Sequence, residues 1–133
     1  MAERSLLGVL LGALMLSLSG VNLAAESQTP FVRIAELEID PAQLEKYKAA
    51  VKEEMETSIR LEPGVLAIYS VALKEDPSQL RFFEIYKDEA AYHAHIASAH
   101  FRKYVETTKG MIRSRKLLDT VPIQLSVSRH PSL

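Results

Sequence analysis

An α+β fold, one four-stranded antiparallel sheet with its helices on a single face, is predicted for this 133-residue chain by three observations. Four runs of apolar or alternating character read as strands: FVRIAELEI, VLAIYSVAL, LRFFEIYK, and the segment from Lys116 to Val121. Two longer stretches repeat their apolar residues at three- and four-residue steps and read as helices. The order is strand, helix, strand, strand, helix, strand, which is the split βαβ, ferredoxin-like arrangement.

Each element has local reasons. Phe31 to Ile39 alternates loosely and ends at Asp40-Pro41, a helix cap followed by proline at the first helical position. Leu44, Tyr47, Val51, Met55 and Ile59, with Glu and Lys between them, predict an amphipathic helix from Pro41 to Arg60. Glu62-Pro63-Gly64 stops it and turns the chain. Val65 to Leu73 is almost continuously apolar, as expected of a strand covered on one face and partly on the other. KEDPSQ is a hairpin connection, and Leu80 to Lys87 is the returning strand. Asp88 caps a second helical region with a break expected near Ser98, after which Phe101, Tyr104, Val105 and Thr108 form a separate stripe that Gly110 ends. Lys109 to Lys116, KGMIRSRK, reads as a solvated connection to the last strand.

The first 25 residues differ in kind. Arg4 precedes the uncharged run SLLGVLLGALMLSLSG, and the chain turns polar at Glu26, the layout of a secretory signal peptide. Its apolar core, Leu6 to Leu18, would be about 20 Å long as a helix against roughly 30 Å of bilayer hydrocarbon. Export to the periplasm or exterior with cleavage near Ala25 is therefore expected, an uncleaved anchor being the alternative, and residues 26–133 form one domain with its core at 31–121. A single sheet and helix layer built from those 108 residues leaves the second sheet face in need of a cover. A second copy packed sheet to sheet would supply it, so a homodimer is expected.

Composition removes several function classes. Sixteen basic and 17 acidic residues give a net charge of -1, with no electrostatic reason to expect nucleic acid or an anionic membrane surface as partner. The chain has no cysteine, hence no disulfide, thiol nucleophile or iron-sulfur ligand. Beyond the N-terminal segment the glycines are Gly64 and Gly110, too few for a dinucleotide fingerprint or a P-loop. Chemistry must come from His, Tyr, Asp, Glu, Arg or the substrate.

HAHIASAHF holds three of the four histidines, His93, His95 and His100. On one continuous helix His93 and His95 diverge by about 200° and His95 and His100 by about 140°, while His93 and His100 share a face about 10 Å apart. Zinc needs donors at about 2 Å, so a three-histidine metal site is not expected. His95 falls at the edge of the buried face marked by Tyr92, Ile96 and Ala99, His93 faces solvent, and His100 lies where the helix breaks, so periodicity leaves its direction open. His130 sits in a polar tail. On the strands, Tyr69 lies in the 65, 67, 69, 71 register; Phe82, Glu84 and Tyr86 share one face, and Arg81, Phe83 and Ile85 the other. Glu84 is either ion-paired, with Arg33 or a lysine, or a polar group set in an aromatic cavity, because an unpaired buried carboxylate is costly.

EPGVLAIYSV and RFFEIYKDEAAYHAHIASAHF together resemble the antibiotic biosynthesis monooxygenase family, including its quinol monooxygenase-like members, over about Phe31 to Val121. The most specific parts are Glu62-Pro63-Gly64, Glu84-x-Tyr86-x-Asp88, and His95-x-x-Ser98-x-His100-Phe101. The resemblance implies a dimeric ferredoxin-like α/β barrel that oxidises a small quinol or phenol with oxygen and no cofactor. It implies His95 as base or substrate-orienting group, His100 next, and Glu84 as partner fixing a histidine, with Tyr69, Phe83, Tyr86 and Phe101 as pocket walls. Better-studied members rely on asparagine and tryptophan; this chain has no Trp and only Asn22, so their specific mechanism does not carry over. A non-catalytic small-molecule binding module and an isomerase are the competing classes.

Overall fold

The structure, a computed structural model, describes residues 29–128. The expected signal segment and His130 lie outside the described residues. The element order is β1 (Phe31–Ile39), a 3-10 turn at Pro41–Gln43, α1 (Leu44–Leu61), β2 (Val65–Ala72), β3 (Gln79–Tyr86), α2 (Glu89–Ile96), α3 (Ala99–Thr108) and β4 (Ile112–Asp119). All neighbours in the sheet are antiparallel, in the order β2-β3-β1-β4. The predicted fold class is found, but the four strands of one chain form an open sheet with β2 and β4 as its edges, not a closed barrel.

Capping follows local chemistry. Asp40 Oδ1 accepts from Ala42 N at 3.0 Å, and Asp88 Oδ1 from Ala91 N at 2.7 Å. Ser98 Oγ accepts from Phe101 N at 3.2 Å, so the helical region divides at Ala97-Ser98 and α3 starts in a new direction. The last strand begins at Ile112, earlier than its apolar content predicts, because its pairing with β1 runs from Ile39↔Ile112 to Arg33↔Asp119. Arg113, Ser114, Arg115 and Lys116 are thus an exposed, charged edge strand rather than a connection, a pattern that discourages further strand pairing.

The buried face of α1 carries Tyr47, Val51, Glu54 and Ser58, whereas Ile59 is exposed. Steps of 4, 3 and 4 residues stay within about 30° of one direction, while the apolar series ending at 59 drifts by about 40° per step. Two polar residues therefore occupy the inward positions of the last two turns. Against this face the sheet presents Ala35, Leu37 and Ile39 from β1 and Leu80 and Phe82 from β3, closing the core around Tyr47 and Val51. The opposite sheet face carries an apolar row across all four strands, Tyr69, Phe83, Ile34 and Leu118, with no layer over it among the described residues.

Gly64 lies where β2 leaves the α1 turn and passes under α2. A Cβ built there would sit 2.6 Å from Ala91 Cβ, too close for any real contact. Gly64→Ala is expected to push α2 off the sheet and cost about 1–3 kcal/mol, as overpacking does; an unchanged urea midpoint would show that α2 has slack there.

Candidate active site

The cavity lies between the helix layer and the inner sheet face and encloses about 580 Å³ including its open mouth. Its wall is apolar at Ala35, Leu37, Val51, Ile68 and Phe82, and polar at Arg33, Glu54, Glu84 and His95. Phe101, Tyr92 and Tyr104 contribute aromatic surface.

His95 stands at the centre, with 2% of its surface exposed. Its Nδ1 lies 3.0 Å from Glu62 Oε1, and the same oxygen lies 2.5 Å from His100 Nε2. An ionised carboxylate only accepts, so both rings donate to Glu62, which leaves Nε2 of a neutral His95 as the acceptor nitrogen. That nitrogen is 3.6 Å from Glu54 Oε1, which itself accepts from Ser58 Oγ at 2.6 Å. Burial alone would raise the Glu62 carboxyl, but the hydrogen bonds from His95 and His100 outweigh it and hold the group below its ordinary value. Glu62 thus stays anionic and orients two imidazoles.

Glu84 accepts from Tyr86 OH at 2.9 Å. Its carboxyl is pushed up by burial, which outweighs the pull of the Tyr86 bond. Of the alternatives for Glu84, a direct pair with Arg33 is not formed: Arg33 faces Glu84 across the ladder, but its Nη1 bonds Asp119 Oδ1 at 2.6 Å. Its guanidinium stacks 4.7 Å over the Tyr92 ring, and its Nε is buried with no hydrogen-bond partner among the described residues. Tyr86 and Tyr104 are raised by burial, as is Tyr47, whose hydroxyl lies 2.7 Å from that of Tyr104. All three are proton-retaining phenols.

A carboxyl whose pKa is raised on folding costs stability above its unfolded value and costs none below it. Glu84→Gln, which can still accept from Tyr86, is therefore expected to raise the melting temperature at pH 7.5 and leave it unchanged at pH 3.5. An equal change at both pH values would assign the effect to packing.

The predicted site residues divide. His95, His100, Glu84, Tyr86 and Phe101 come together, the last with its ring centroid 4.9 Å from that of His95. Tyr86 is fully buried behind Glu84, 5.4 Å from the His95 ring. Tyr69 and Phe83 do not join them: they pair with each other on the outer sheet face. A bulge between Val65 and Ala67 breaks the register that linked Tyr69 to the inward Val65, and the pleat sends Phe83 away from Glu84. His93 projects outward, 3.6 Å from Glu89.

Glu54, Ser58 and Glu62 are invisible to a periodicity that follows apolar residues alone. A signal for the first two is present: polar residues at 54 and 58 continue the inward 47, 51 series. Glu62 sits just past the end of α1, where no periodicity reaches. One donor atom from each of Glu54, His95 and His100 falls within 4.8 Å of the others, so these three residues could hold a cation.

The profile of the antibiotic biosynthesis monooxygenase family matches residues 30–107. A structure from Bacteroides thetaiotaomicron, assigned to the antibiotic biosynthesis monooxygenases, is 47% identical, with 77% of this chain and 97% of that one aligned at a TM-score of 0.73. A protein from Lactobacillus acidophilus assigned as a monooxygenase is 34% identical over 68% of this chain and 43% of its own longer chain, at a TM-score of 0.66. One from Nitrosomonas europaea, assigned to the same family as the first, is 25% identical over 72% and 92%, at a TM-score of 0.68. No curated protein matches the chain.

Proposed function

Because the chain belongs to the antibiotic biosynthesis monooxygenase family, we propose that it is a cofactor-independent monooxygenase of a small quinol or other phenol, exported and homodimeric. The observation that carries the reading is His95, buried at an aromatic cavity, with Nδ1 held by an anionic Glu62 and Nε2 left free to accept a proton. His100 shares the same carboxylate oxygen.

The chemistry needs nothing more elaborate. His95 Nε2 takes the phenolic proton, and the electron-rich phenolate reduces O₂ and bonds to it at a ring carbon. The resulting peroxide breaks its O–O bond, one oxygen remaining as the new quinone carbonyl and the other leaving as water with the ring hydrogen and the returned proton. One phenol and one O₂ thus give one quinone and one water with no external reductant. The apolar wall keeps bulk water from the anion, and Glu62 favours the imidazolium formed in the first step.

Two features support the assembly and export. The Tyr69, Phe83, Ile34 and Leu118 row is an apolar surface suited to a second sheet, and beyond β4 Val121, Ile123 and Val127 are also exposed. The N-terminal segment has the charge and apolar layout of a signal peptide, and no helix among the described residues is long and apolar enough to cross a membrane. Phe83→Glu is expected to convert a dimer to a monomer in sedimentation; a native protein that sediments as a monomer would refute the sheet-to-sheet pair.

The function is tested by oxygen uptake over a panel of quinols with chelator-treated protein. Tight binding without uptake would make the domain a binding module, and substrate turnover without oxygen would make it an isomerase.

A further inference from the structure

Two buried or half-buried carboxylates, Glu54 and Glu62, meet two imidazoles at one edge of the cavity. Glu54 faces His95 and Glu62 faces both His95 and His100, and Glu54 and His95 are both more than nine-tenths buried. We propose that Glu54, His95 and His100 form a divalent transition-metal site, with Glu62 as the group that orients its central histidine. The proposal rests on this geometry and not on the oxygenase reading.

The donor set is two imidazoles and one carboxylate, suited to zinc, cobalt or ferrous iron rather than to magnesium or calcium, which take oxygen ligands. No pair of the three donor atoms is farther apart than 4.8 Å. Donors about 2.0–2.1 Å from a tetrahedral zinc lie about 3.3 Å from one another, so closure by roughly 1–1.5 Å is required. Glu54 has rotatable bonds to supply part of it, and His100 stands in the first turn of α3, next to the Ala97-Ser98 break.

The independent observation is the state of His95. A metal-binding histidine characteristically donates its second ring N–H to a carboxylate, which sets the tautomer and aims the lone pair. His95 makes that bond through Nδ1 to Glu62 at 3.0 Å, and its Nε2 is turned to Glu54 Oε1 at 3.6 Å, longer than a hydrogen bond. Glu54 is held in turn by Ser58 Oγ. The sheet adds Glu84, which accepts from Tyr86, Arg33, which is engaged with Asp119, and Arg115 from β4. Continuous-helix geometry disfavours a three-histidine site; the helix break and a carboxylate from α1 give a different triad.

The test is calorimetric titration of the chelated full chain with Zn²⁺, with Co²⁺ absorption as a spectroscopic readout of coordination. Expected are one Zn²⁺ per chain, affinity reduced at least 100-fold in Glu54→Gln and in His100→Asn, and about 10- to 100-fold in Glu62→Gln. Circular dichroism of the variants should match native, since the amide introduced by Glu54→Gln still accepts from Ser58 and His100 is not a core residue. His93→Ala, on the exposed helix face, should bind as native. No saturable binding, an affinity untouched by both ligand substitutions, or a loss confined to His93→Ala would each overturn the site. Binding is read directly, so failure here leaves the oxygenase reading standing. Bound Zn²⁺ occupies the His95 lone pair, and stoichiometric Zn²⁺ should then suppress the metal-free oxygen uptake.

Discussion

His95→Ala is expected to lower oxygen uptake with a responsive quinol by about 10²- to 10⁴-fold, the range contributed by a positioned general base. The geometry makes this the largest single functional effect. His95 is the histidine whose acceptor nitrogen borders the cavity while its other nitrogen is fixed by an anionic carboxylate. His100 touches the same Glu62 oxygen, so His100→Ala should act through Glu62 and cost less. Glu62→Gln should fall between them, since an amide can still accept from one ring but no longer supplies the charge that favours the imidazolium. His95→Gln, which fills more of the vacated volume, separates a folding defect from a missing base: a well-folded His95→Gln protein must also be slow. Uptake that survives in His95→Ala would remove the base assignment, whatever the other variants do.

The largest effect on stability is expected at Phe82, which is 5% exposed, against its neighbour Phe83, which is 37% exposed. Phe82 packs into the core formed by Ala35, Leu37, Tyr47 and Val51. Phe82→Ala should cost about 3–5 kcal/mol, a large share of the roughly 5–15 kcal/mol that holds a domain together. For a domain near 100 residues this corresponds to a fall in Tm of about 15–30 °C. Phe83→Ala, one residue away on the opposite face, should leave the isolated chain nearly as stable and instead weaken any association through the outer sheet face. Comparable losses in a chain shown to be monomeric would contradict this division of faces.

Much of the fold was legible because its signals are local. Alternation marks β1 and β3, Asp-Pro opens the 3-10 turn that leads into α1, Pro-Gly follows the end of α1, Asp88 caps α2, and the expected break near Ser98 is present, with Ser98 itself capping α3. The last strand was legible only in part: Arg113, Ser114 and Arg115 carry no strand-like apolarity, and their strand state comes from pairing with β1. The site was legible where a histidine sat on a helix face, as His95 did. It was not legible at Tyr69, where one bulge reverses the facing of everything after Val65. Glu54 is hidden from the sequence because an inward polar residue breaks the apolar pattern that marks inward positions.

Spacing, capping and composition act within a few residues, and they were enough for the order and type of elements, the break at Ser98, the absence of thiol and nucleotide-cradle chemistry, and the family. Which carboxylate meets which histidine is settled only when the chain packs. Glu62 lies 33 residues from His95 and 38 from His100, and Glu54 reaches the same place from the preceding turns of α1. Their meeting depends on α1 and the broken α2–α3 pair packing side by side over one sheet face, a result of burying the whole apolar core that no single segment encodes.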